Sequence, residues 1–174
     1  MSTALTQKSG ECYTNVAGKE IPVRTDGSFI LQEELKKGSV EEERLKVIIE
    51  KKFKVSLKKL DQFNPMDFVC DKFFVEIKSR RNKHDAYPTT IIGKNKIDYA
   101  KKYLFSFNQF SWEEDKFKVL YVFAFTDGDW FIEQKEHNDK WVDDCEVKGI
   151  TRKDGVGTKD KEHICIPIEL LSPL

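Results

Sequence analysis

The chain has 174 residues, 39% of them hydrophobic, including 13 Phe, 5 Tyr and 3 Trp; this apolar surface is enough to offset the entropy of folding, so wholesale disorder is excluded and a single domain is expected. Thirty Lys and Arg balance thirty Asp and Glu, which excludes a polycation that binds nucleic acid through bulk charge. Basic surface is local, and the region from Lys72 to Lys102 carries nine Lys or Arg against three acids.

Cys12, Cys70, Cys145 and Cys165 are isolated, with neither a C-x-x-C pair nor the spacing of a disulfide framework. The expected setting is soluble, intracellular and reducing. No apolar run approaches the roughly 20 residues of a membrane span, and residues 1–10 lack the apolar stretch of a signal peptide, so no membrane partner is expected.

In chain order, residues 1–36 read as a loosely structured lead-in, residues 37–134 as the core, and residues 135–174 as a charged loop with a final strand. Leu45, Ile48, Ile49 and Phe53 recur at helical spacing and predict a helix over residues 40–53, with Ser39 and Glu42 in the form of a capping box. Residues 66–70 and 73–78 predict two antiparallel strands turning at Asp71-Lys72. Residues 79–93 are polar, carry Pro88 and read as a loop. A second helix over residues 94–107 follows through Ile97, Ala100 and Leu104. Residues 119–125 are continuously apolar, as in a strand covered on both faces, and Asp127-Gly128 turns into a partner strand over residues 130–133. Residues 135–162 are charged and loop-like, and Ile164, Ile166 and Ile168 alternate on a last strand.

The chemistry lies in the first hairpin. A turn at Asp71-Lys72 sets Asp67 opposite Glu76 on one face, with β-carbons about 5 Å apart, an unfavourable pair unless a proton or cation lies between them. Lys78 shares that face, while Phe73, Val75 and Ile77 point the other way. Mg²⁺ suits such carboxylates and can bridge to a phosphate oxygen, with Mn²⁺ as a substitute, and a nearby ammonium can orient the attacking water. Phosphodiester hydrolysis is the reaction this set of groups serves.

Pro65-Met66-Asp67, eight residues, then Glu76-Ile77-Lys78 resembles the pattern of the PD-(D/E)XK nuclease superfamily. Lys37-Gly38-Ser39 through Glu42 to Leu45, Ile48 and Ile49 is similar to the first helix of its archaeal Holliday-junction resolvases. The resemblance implies an α/β fold with a mixed central sheet flanked by helices, in α-β-β-β-α-β order. It implies a metal held by Asp67, Glu76, the Ile77 carbonyl and Glu42, with Lys78 catalytic. Met66 separates Pro65 from Asp67, a departure from an adjacent Pro-Asp pair.

Blander roles stand beside these. Glu42 is also the third residue of a capping box, and Glu41 is its substitute as ligand. Arg80, Arg81 and Lys83 are a solvated loop or a set of phosphate contacts; Lys94 joins them as a nucleic-acid contact. Lys96, at the margin of the second helix's apolar face, either completes the site or snorkels to solvent. His84, His137 and His163 lack zinc-ligand spacing and read as surface or strand residues, and Trp112, Trp130 and Trp141 read as packing. The expected function is a Mg²⁺-dependent endonuclease acting on DNA, as monomer or homodimer. The alternatives are a non-catalytic nucleic-acid-binding module or a protein-interaction subunit that keeps the fold.

Overall fold

The computed structural model describes residues 6–8, 11–16, 19–23, 30–61, 63–108, 116–154 and 157–174. They form two compact units, Met1–Glu43 and Arg44–Leu174. Trp112 lies outside the described residues. In the first unit, β1 (Thr6–Lys8), β2 (Glu11–Val16) and β3 (Lys19–Val23) make an antiparallel sheet in that order, within the stretch read as lead-in.

Helix α1 (Ile30–Phe53) starts about ten residues before its expected beginning and runs on into the second unit. Gly38 costs a helix only about 1 kcal/mol, and the strong helix formers Glu33 to Lys37 outweigh it. Ser39 is therefore mid-helix, and the capping-box role of Glu42 is withdrawn.

The second unit is built on a six-stranded mixed sheet. Its strands are β4 (Lys58–Lys59), β5 (Phe68–Val69), β6 (Phe73–Ser79), β8 (Lys118–Phe125), β9 (Gly128–Gln134) and β12 (Ser172–Pro173), in the order β12-β9-β8-β6-β5-β4. Strands β6 and β8 are parallel, and such a pair needs a crossover. It consists of a 3-10 turn at His84–Ala86, β7 (Thr89–Gly93) and α2 (Lys94–Asn108).

The alternation of β8 divides the core between two faces. Leu120, Val122 and Ala124 pack with Val75, Ile77 and with Leu45 and Ile49 of α1. Val119, Tyr121, Phe123 and Phe125 pack with Phe74 and with Ile97, Ala100 and Leu104 of α2. The sheet is thus covered by a helix on each side, as expected. Arg44 fastens α1 to β9 through both oxygens of Asp129, at 2.7 and 2.6 Å.

Two segments read as loops contain strands. Pro88 stands just ahead of β7, where it breaks no ladder, and the run Thr89 to Ile92 is rich in β-branched residues. The charged stretch after β9 contains α3 (Lys140–Asp144) and β10 (Glu146–Asp154), then β11 (Gly157–Pro167), giving a second sheet in the order β10-β11-β7. Residues 146–149 are exposed, so burial imposes no apolar alternation on β10.

Candidate active site

The hairpin register is the expected one: Phe68 pairs with Val75 and Val69 with Phe74. The ladder stops there. The Asp67 amide donates to the Val75 carbonyl at 2.9 Å, the residue already opposite Phe68, so the chain bulges. Met66 and Phe68 accordingly enter opposite cores. Asp67 therefore does not simply face Glu76 across the ladder, as the turn alone predicts; its Oδ2 accepts the Ile77 amide at 2.7 Å.

Glu76 is wholly buried on the α2 side of β6. Its Oε1 meets the Lys96 ammonium at 3.0 Å and the Lys78 ammonium more closely still. Its Oε2 is enclosed and has no donor among the described residues. Lys96 also donates to the Pro65 carbonyl, which ties the first turn of α2 to the approach to Asp67. Burial first, and the Glu76 charge second, push the Asp67 carboxyl up to about 6 from 3.8, against opposing pulls from the Ile77 amide, Lys78 and Lys96. Beside Glu76 in the parallel register, Tyr121 donates to Gln134 Oε1 at 2.7 Å, and burial, then Glu76 and Asp139, push its hydroxyl upward.

Asp67, Glu76, Ile77, Lys78 and Lys96 thus come together. Arg80 turns inward instead: Nε donates to Thr90 Oγ1 at 3.0 Å, Nη2 to the Ile91 carbonyl, and the guanidinium lies 5.4 Å from the Phe123 ring centre. Arg81 and Lys83 are exposed on the following loop. Lys94 pairs with Asp98 at 2.8 Å, which raises its pKa. Glu41 and Glu42 are half-buried on α1, in the first unit. Among the described residues no three Asp, Glu, His or Cys side chains converge.

The donors present fit a hard divalent cation. Two carboxylates repel each other, one oxygen lacks a donor, and Mg²⁺ needs only one or two carboxylates because it keeps several waters. A cleft of about 540 Å³ opens beside them, lined by Lys78 and Arg80, the start of α2 and residues 161–163 of β11.

A family model described as "Phage putative PDDEXK endonuclease" matches residues 34–174. The chain belongs to that family. As a member of the PDDEXK endonuclease family it is a nuclease, and the matched region runs from α1 to the final residue, spanning Asp67, Glu76 and Lys78. No match was found among curated proteins or among solved structures. No helix among the described residues is long and apolar enough to cross a membrane.

Proposed function

We propose that this PDDEXK family member cuts DNA internally, using Mg²⁺ or Mn²⁺ held by Asp67, Glu76, the Ile77 carbonyl and Glu42. The observation that carries this reading is the buried Glu76 carboxylate, whose Oε2 has no donor among the described residues, beside an Asp67 carboxyl raised to about 6. When bound, a divalent ion supplies a more acidic water and stabilises charge developing on the phosphate.

The protein's own groups do the rest. The Lys78 ammonium, a third exposed and paired with Glu76, reaches the cleft, where it orients the attacking water and steadies the phosphate charge. Lys96 meets the same Glu76 oxygen and, through the Pro65 carbonyl, keeps the strand before Asp67 in place. Arg81 and Lys83 contact phosphates along the strand, with Lys94 and, to a lesser degree, the inward-turned Arg80.

A non-catalytic DNA-binding module is the rival, because two ammonium groups already neutralise Glu76. Incubation with linear, nicked, single-stranded and four-way-junction DNA in Mg²⁺, Mn²⁺ or EDTA separates the two. The proposal expects metal-dependent cleavage of at least one form, and binding without cleavage in every condition would favour the rival.

A further inference from the structure

Asp67 stands just outside the β5 ladder, whose first pair is Phe68 with Val75. Its place therefore depends on its own bonds and on the turn that leads into it from β4. The backbone of that turn is tied down group by group. The Phe63 amide donates to Asp61 Oδ1 at 2.9 Å and the Asn64 amide to the Asp61 carbonyl at 3.0 Å. Pro65 has no amide, and its carbonyl accepts the Lys96 ammonium. The Met66 amide donates to Asn64 Oδ1 at 2.9 Å. At Asp67 the amide donates to the Val75 carbonyl, and the carbonyl accepts the Leu60 amide, both at 2.9 Å.

The bond from Met66 to Asn64 closes a side-chain turn over Pro65, the two-residue span that asparagine favours. An N–H only donates, so the side-chain oxygen of Asn64 faces Met66 and its nitrogen is left for another partner. That nitrogen lies 3.5 Å from the Tyr99 hydroxyl, at the long limit of a hydrogen bond. Tyr99 and Lys96 are three residues apart on α2 and share a face. Helix α2 thus reaches both Asn64 and Pro65. Met66 is 1% exposed, so its amide has almost no water to replace Asn64.

We propose that Asn64 is a positioning residue for Asp67: it fixes the turn before the bulge and so aims the carboxylate at the metal. This rests on the nuclease reading above, in which Asp67 is a metal ligand. Asn64 itself touches neither the ion nor the DNA. A ligand works only when held within about 0.5 Å and 10–20° of its geometry. Without the turn, the Met66 amide is released and the chain entering Asp67 loses its fixed course.

The test is the shift of the thermal midpoint across a Mg²⁺ titration without DNA, which reports metal affinity, with plasmid cleavage read in parallel. Asn64→Ala should weaken the apparent Mg²⁺ affinity by roughly tenfold to a hundredfold. Asn64→Ser, whose hydroxyl closes the same turn without adding charge, should recover part of that loss. Asn64→Gln, polar but one methylene too long for the turn, should behave like Asn64→Ala and serves in its place if the alanine variant does not fold. Asn108 is the structural control, since it joins the far end of α2 to the Phe117 amide and carbonyl at 2.8 and 2.9 Å. Asn108→Ala should lower the midpoint and leave the Mg²⁺ affinity unchanged. A midpoint lowered in Asn64→Ala or Asn64→Gln with wild-type Mg²⁺ affinity, or equal losses in Asn64→Ala and Asn64→Ser, would overturn the positioning role alone. A wild type that neither responds to Mg²⁺ nor cleaves would remove Asp67 as a ligand and this role with it.

Discussion

The Asp67 carboxylate accepts the Ile77 amide at 2.7 Å, so one proposed metal ligand is fastened to the strand that carries the other. Strand β5 begins only at Phe68, and the bulge at Asp67 leaves Ile77 without a ladder partner on that side, so a side chain takes the place of a backbone carbonyl. Burial and the neighbouring Glu76 charge disfavour its ionisation even though the Ile77 amide favours it, and that has a measurable consequence.

Asp67 ionises at about 6 in the folded protein and near 3.8 when exposed. Between those values the folded form binds a proton that the unfolded form releases. Its stabilising contribution is present below about pH 3.8 and is lost as pH rises through about 6, a change of roughly 2–3 kcal/mol. Asp67→Asn stays neutral and escapes this loss. In EDTA its stability relative to wild type should increase by about 1–3 kcal/mol between pH 4 and pH 7, as read by urea unfolding. Millimolar Mg²⁺ should stabilise wild type more than the variant. A constant difference across this range would mean that the carboxylate is not strained.

Lys96 is expected to support Glu76 whether or not metal is present. Lys96→Met leaves the buried carboxylate with Lys78 alone, and should lower stability in EDTA by about 2 kcal/mol. Lys94→Met, whose pair with Asp98 is exposed, should cost less than about 0.5 kcal/mol. Equal losses in urea unfolding would show that the contact with Glu76 contributes nothing.

The three cations after β6 should separate by role. Arg80→Ala removes hydrogen bonds to Thr90 and Ile91 and the cover over Phe123, so it should destabilise by about 1–2 kcal/mol. Arg81→Ala and Lys83→Ala should stay within about 0.5 kcal/mol of wild type. Each should also flatten the salt dependence of DNA binding by nearly one unit of log slope. Thermal melts and salt titrations distinguish the two behaviours.

Helix α1 offers two neighbouring acids. Glu42→Gln should lower the cleavage rate strongly and Glu41→Gln should not; the reverse result in a steady-state assay would move the helical ligand by one residue.

The sequence carried the hairpin register because turn length fixes cross-strand pairing, and it carried both helices because buried residues recur every three or four positions. The nearness of Glu76 and Lys78 followed from their spacing on one strand face. The bulge at Asp67 was not legible, since it depends on a backbone bond to Val75 that no side-chain pattern records. Strand β7 was hidden by Pro88, which only precedes it, and β10 by the exposure of residues 146–149. Lys96 stood at the edge of an apolar stripe, where a solvated lysine and one reaching a buried glutamate look alike; only the depth of Glu76 separates them.

The most direct test is the rate of supercoiled-plasmid cleavage by Glu76→Gln across a Mg²⁺ titration, with folding verified. The substitution keeps the shape of the side chain and removes the buried charge. The expected result is a loss of at least about a hundredfold that added Mg²⁺ does not recover. Cleavage at the wild-type rate, with the same Mg²⁺ dependence, would contradict the assignment of Glu76 to the metal site.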